Sequence, residues 1–132
     1  HRLMAITLSV GTRLPAAYTS MGRILLAQLS DEALDRFLAT ITLEPFTDKT
    51  VTDVNELRHR IVEARQQGYA ISDQELDSGL RSIAVPVYDA KKHLMGAINI
   101  STNAARVDLD TLVNVYLPVI RSKVAHIRAT IN

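Results

Sequence analysis

The chain has 132 residues, 47% of them apolar and 22% charged, with a formal net charge of +1. That balance belongs to one globular domain with room for a core, not to a disordered segment, and the interspersed charges give no basic face for a nucleic-acid backbone. There is no cysteine, which excludes disulfides, thiolate metal sites and cysteine nucleophiles and fits a reducing, cytoplasmic compartment.

The apolar runs are far shorter than the roughly 20 residues of a membrane-crossing helix, so no membrane partner is expected. The chain opens at His1 rather than Met, directly in a strand-like run, and is expected to be a piece of a longer protein.

In chain order, Leu3, Ala5, Ile6, Leu8 and Val10 make a strand-compatible opening, broken by Gly11-Thr12-Arg13-Leu14-Pro15. Met21, Ile24, Leu25 and Leu26 recur at helical spacing and predict a helix over 18–29. Ser30, followed by Asp31 and Glu32, predicts the start of a second helix that buries Leu34, Phe37 and Leu38. Residues 40–52 read as a loop around Pro45. Asp53 and Glu56 open a third helix with Leu57, Ile61, Val62 and Ala64 inward, and Gly68 stops it.

The period then changes. Residues 69–73, 80–88 and 94–101 read as three strands, the last two forming an antiparallel hairpin through the polar turn at 89–93. A final helix covers 108–131, with a kink or break expected at Pro118. The order β–ααα–βββ–α predicts an α+β domain with helices packed on a largely antiparallel sheet.

Little in the chain suggests reaction chemistry. His1, His59, His93 and His126 match no metal-ligand spacing, and no metal or cofactor is expected. There is no Gly-x-Ser-x-Gly elbow and no Gly-rich phosphate loop. Asp73, Glu75 and Asp77 alternate near a strand end. Two of them could serve as acid and base, but a solvated strand terminus is the expectation.

The strand faces carry more. Side chains alternate across a sheet, so Ser82, Ala84 and Pro86 share one face of the 80–88 strand, with Ile83, Val85 and Val87 on the other. In the 94–101 strand, Ala97, Asn99 and Ser101 share one face and Ile98 and Ile100 the other. One side is bulky and apolar, suited to packing under helices. The other is small and mildly polar, and two readings stand: an ordinary solvent face, or the wall of a small-molecule pocket.

Several runs are similar to a known family. Val10-Gly11-Thr12-Arg13-Leu14-Pro15 and Thr19-Ser20-Met21-Gly22-Arg23-Ile24-Leu25-Leu26-Ala27 resemble the opening of the effector-binding domain of IclR-type bacterial transcription regulators. Gln67-Gly68-Tyr69-Ala70, then Gly79-Leu80-Arg81-Ser82-Ile83-Ala84-Val85-Pro86-Val87, continue the pattern, and Ala97-Ile98-Asn99-Ile100-Ser101 completes it. The wording is most similar to the branch that regulates aromatic catabolism through the β-ketoadipate pathway.

The resemblance implies a GAF-like fold, a curved and mostly antiparallel sheet with helices on both faces and a pocket on the concave side. The whole of 1–132 would then be an effector-binding domain. A winged helix-turn-helix domain would lie upstream and make the DNA contacts, and the subunits would form dimers that pair into tetramers. Pocket positions carried over from the family fall at Leu14, Met21, Gly22, Ser72, Ser82, Asn99 and Ser101. The effector would be a small carboxylate: protocatechuate, 4-hydroxybenzoate or β-ketoadipate. Arg13 is the candidate for gripping its carboxylate, because a guanidinium can do so with two parallel hydrogen bonds; a loop-stabilising or surface role is the alternative. Arg81 points away from Ser82 in a regular strand. Two other functions remain open from the residues alone: a GAF-type sensory module of another signalling protein, and a small hydrolase using Ser82 or the Asp73–Glu75 carboxylates.

Overall fold

The protein is described by a computed structural model that covers residues 2–6 and 16–131. Arg13, Leu14 and the Gly11–Pro15 break lie outside the described residues. The elements run β1 (Arg2–Ile6), a 3-10 turn (Ala16–Tyr18), α1 (Ser20–Leu26), α2 (Asp31–Thr40) and α3 (Val54–Gln67). They continue with β2 (Ala70–Asp73), β3 (Leu80–Tyr88), β4 (Leu94–Asn103), α4 (Leu109–Thr111), a π turn (Leu112–Tyr116) and α5 (Leu117–Ile131).

The local signals act as their chemistry requires. The Thr19 hydroxyl accepts from the Gly22 amide at 3.0 Å, so α1 starts at Ser20 and not at 18. Ser30 caps α2 by accepting from the Ala33 amide at 3.1 Å, and Asp53 caps α3 by accepting from Asn55 at 2.7 Å. Gly68 ends α3 in the left-handed region, φ 80°, which a residue without Cβ adopts at little cost. The expected break near Pro118 takes the form of a π turn that ends two residues earlier, at Tyr116, with the Leu117 amide reaching back five residues to the Leu112 carbonyl. Pro118 has no N–H for the carbonyl four residues back, and the preceding turn takes up the misfit by widening.

The four strands form one antiparallel sheet in the order β1-β4-β3-β2. Its two faces are both covered. Ile83, Val85 and Val87 of β3 and Ile98 and Ile100 of β4 pack against Leu112, Leu117 and Ile120 of the C-terminal helical segment. On the other face Ala70, Ala84 and Ala97 lie under α1 to α3, whose Met21, Ile24, Leu34, Leu57 and Ile61 close the second core. Each fully buried Leu or Ile there contributes roughly 1.5–3 kcal/mol of transfer free energy. Alanine on the sheet keeps the α1 side shallow, so the short helix can sit close to it. This is the expected α+β, GAF-like arrangement, with the bulky face under one helix and the small face under three.

Candidate functional site

The register builds a rank of hydroxyls on the small face. Ser72 of β2 stands opposite Ser82 of β3, which stands opposite Ser101 of β4. The next row on that face is Ala70, Ala84 and Asn99. Neighbouring strands lie about 4.8 Å apart, so these groups converge within one small volume. Between them and α1 lies a cavity of about 160 Å³, which Ser20, Met21 and Glu75 also line.

The polar atoms there are largely committed. Ser82 Oγ and Ser20 Oγ lie 2.8 Å apart, joining β3 to α1. Ser72 Oγ donates to the Tyr18 carbonyl at 2.8 Å, and Asn99 Nδ2 donates to Ser101 Oγ at 3.2 Å. Asn99 Oδ1 is different. The residue is only 6% exposed, and this oxygen is buried with no hydrogen-bond partner among the described residues. A buried acceptor without a donor is costly, and this one lies in a residue that lines the cavity.

One wall of the cavity is held by a buried ion pair. Glu75 is 3% exposed and Arg23 of α1 is 1% exposed. Arg23 donates to both carboxylate oxygens of Glu75, to the Ala17 carbonyl through Nε and Nη2, and to the Ile71 carbonyl through Nη1. That uses all five guanidinium N–H donors. The expectation of a solvated strand end therefore fails at Glu75. Its carboxylate turns inward because Arg23, on the buried side of α1, needs a partner there. Asp73 is half-buried and bonded to Arg81 at 2.8 Å. Burial pushes its carboxyl up, but hydrogen bonds from Arg81 and Gln74 and the charges of Arg81 and Lys49 outweigh that and hold it below its ordinary value. Only Asp77 is exposed as expected.

Of the residues singled out in the sequence, Met21, Ser72, Ser82, Asn99 and Ser101 are brought together in this cavity. Gly22 is not in its lining. A Cβ at Gly22 would collide with the backbone of Ala16, so this glycine lets α1 rest on the 3-10 turn that carries Tyr18. Arg81 lies on the opposite face, donating to Asp73 and to the Val107 carbonyl at 2.5 Å. The sequence reading placed neither Ser20 nor Glu75 in this cavity. Ser20, Arg23, Ile24 and Ala27 form the buried i, i+3, i+4, i+7 stripe of α1, and two polar residues in a buried stripe signal partners elsewhere in the fold.

A larger cavity, about 490 Å³, runs beside the outer edge of β2 between Arg60, Glu63, Lys49 and Asp73. Most of its charges have partners, Lys49 with Asp73 at 3.6 Å and Arg60 with Glu56 at 3.0 Å, and Glu63 is left as a lone carboxylate among the described residues. Size alone does not make it the better site. His59, His93 and His126 are all exposed. Among the described residues, no group of three or more His, Asp or Glu is placed to hold a metal ion, and no helix is long and apolar enough to cross a membrane.

Residues 1–128 match the family described as "Bacterial transcriptional regulator IclR C-terminal". The chain is 46% identical over 120 residues to the Pca regulon regulatory protein of Pseudomonas putida, covering 91% of this chain and 41% of that protein. Among solved structures, it superposes on a transcriptional regulator from Rhodococcus sp. RHA1 with a TM-score of 0.85 and 41% identity, over 98% of this chain and 52% of that one. It also superposes, with a TM-score of 0.83 and 32% identity, on the inducer-binding domain of the PobR transcription factor from Acinetobacter, a double mutant solved with 3-hydroxybenzoic acid. That match spans 91% of this chain and 69% of the PobR chain. With its fold, its two-sided core and nearly its whole length accounted for, the chain belongs to the IclR family and corresponds to the C-terminal domain of those regulators.

Proposed function

We propose that this chain is the effector-sensing part of a transcription regulator and that the cavity beneath α1 takes a small carboxylate from aromatic degradation. The similarity to the Pca regulon protein and to an inducer-binding domain solved with 3-hydroxybenzoic acid supports that class of ligand. The observation that carries the reading is the convergence of Ser72, Ser82, Asn99 and Ser101 from three strands on one small cavity. Alanines beside them leave room, and hydroxyl and amide groups orient a ligand by hydrogen bonds. Met21 supplies an apolar wall from α1. Arg13 is the proposed partner of the ligand carboxylate, with Leu14 beside it in sequence, and Gly22 acts through the seating of α1.

On the same reading, DNA is bound by an N-terminal winged helix-turn-helix domain, and the regulator works as a homodimer or tetramer in the cytoplasm. A two-fold operator calls for paired subunits. Hydrolysis is the weaker reading. A serine nucleophile needs a base beside it, whereas Ser82 bonds to Ser20, and no histidine lines the cavity among the described residues. A thermal-shift screen of pathway acids tests the proposal. A ligand at a hundred times its Kd stabilises the fold by about 2.7 kcal/mol, so at least one acid raises Tm by several degrees. No shift with any of them would count against this function.

A further inference from the structure

We infer that the protein carries a second small-molecule site, walled by Arg121 and Arg128 of α5, and that it takes a phosphate monoester with an apolar substituent. The site is a cavity of about 190 Å³ at the edge of the sheet, and its lining shares no residue with the cavity under α1. It therefore stands or falls apart from the effector reading.

The cavity exists because β2 is shorter than β3. Their pairing ends at Ala70 opposite Ala84, so Val85 to Tyr88 run on without a strand on that side among the described residues. Pro86 sits in this stretch, and a proline, with no N–H to offer, suits an open edge. The other wall comes from α5. Arg121, Val124 and Arg128 are spaced i, i+3, i+7 and share one helix face, which lines the cavity together with Val85, Pro86 and Tyr88.

Charge makes this cavity an anion site. No acidic side chain is in its lining, and residues 111–132 contain no Asp or Glu. Arg128 has no hydrogen bond or ion pair among the described residues. Arg121 donates to the Gln67 carbonyl at 3.3 Å and lies over the Tyr69 ring, 5.8 Å from its centre, which steadies the guanidinium and leaves N–H donors to spare. The two arginines stand two helical turns apart, about 10 Å along the axis, and both line the same cavity, so their side chains can converge on one group between them. A phosphate monoester carries close to two negative charges on oxygens around a single atom, which accept from two guanidinium forks at once. A dicarboxylate must instead match the spacing of both arginines, and a nucleic-acid backbone needs a row of cations where this cavity has a pair. Val85, Pro86 and Val124 give the apolar substituent a surface to lie on.

The test is titration calorimetry of this chain at low ionic strength with phenyl phosphate and with succinate, repeated on Arg128→Gln and Lys123→Gln. Both substituted side chains are exposed, so both variants are expected to melt with the parent. Lys123 has the same charge on the same helix but lies outside the lining, which makes it the control for attraction to α5 at large. Phenyl phosphate should bind the parent saturably and more tightly than succinate. Arg128→Gln should weaken it about tenfold, the size of one lost charge-assisted hydrogen bond, and Lys123→Gln should leave it near the parent's value. Tighter binding of succinate would overturn the assignment to a phosphate monoester. An equal loss in Lys123→Gln, an unchanged Kd in Arg128→Gln, or no saturable binding of phenyl phosphate by the parent would each remove the site itself.

Discussion

Arg23 and Glu75 meet in the interior through both carboxylate oxygens, and together they close the free edge of the sheet. β2 is the last strand in the order, so its outer backbone groups have no neighbouring strand among the described residues. Arg23 Nη1 donates to the Ile71 carbonyl at 3.1 Å, and Glu75 Oε2 accepts from the Asp73 amide at 3.2 Å. The side chain of Gln67 donates to the Tyr69 carbonyl at 2.9 Å, just ahead of the strand. An open strand edge invites pairing with another chain, and here side chains occupy it. Arg23 also anchors the 3-10 turn through the Ala17 carbonyl, and Glu75 lines the proposed effector cavity.

Breaking that pair from one side should be severe. Glu75→Ala leaves the Arg23 guanidinium buried and unpaired, and removing one partner of a buried pair costs about 3–5 kcal/mol. Replacing both, as Arg23→Met with Glu75→Leu, should recover much of the loss, because no charge is then stranded. Urea unfolding of the two variants beside the parent measures this. A single variant within 1 kcal/mol of the parent would contradict the structural role assigned to the pair.

Acid should weaken the fold through Asp73. Its carboxyl is held below its ordinary value of 3.8. A carboxyl depressed in the folded state stabilises the fold above its unfolded value, and the stabilisation is lost as pH falls through the folded value. Stability should therefore hold down to about pH 4 and decline below it, as the Arg81 and Lys49 contacts lose their partner. Asp73→Asn should start lower and show a shallower decline. Chemical denaturation across pH 2–6 reads both slopes, and identical slopes would remove Asp73 from the account of acid sensitivity.

Gly22→Ala should cost stability out of proportion to one methyl group. The added Cβ meets the backbone of Ala16, which no side-chain rotation can relieve. Overpacking of this kind costs typically about 1–3 kcal/mol. The 3-10 turn must move, and with it Tyr18, whose carbonyl receives the Ser72 hydroxyl. The variant should melt several degrees lower and bind an effector more weakly. A melting temperature equal to the parent's would show that the turn yields freely.

Much of the architecture was legible because its signals are local. Ser30, Asp53 and Gly68 mark helix ends by their own hydrogen bonds and φ angle, and the period-2 pattern of 80–88 assigns Ile83, Val85 and Val87 to one core and Ser82 and Ala84 to the other face. The alignment of Ser72, Ser82 and Ser101 in one row was not legible, because register depends on two turns and on packing rather than on any single strand. Glu75 was misplaced for a related reason. It reads as a solvated carboxylate at a strand end until Arg23, 52 positions earlier, is brought beside it by the fold. The π turn lies just ahead of the expected break, ending two residues before Pro118, since proline marks the misfit but its neighbours absorb it.

The claim on which the rest depends is that the cavity under α1 holds the effector. Asn99→Leu tests it most directly, since it keeps a side chain of similar size and removes both amide atoms from the wall. Calorimetric titration of 4-hydroxybenzoate into the parent and into the folded variant is the measurement. The expected result is saturable binding by the parent and a loss of tenfold or more in the variant, the size expected when a buried polar contact is left unpaired. An affinity in Asn99→Leu equal to the parent's would place the effector elsewhere.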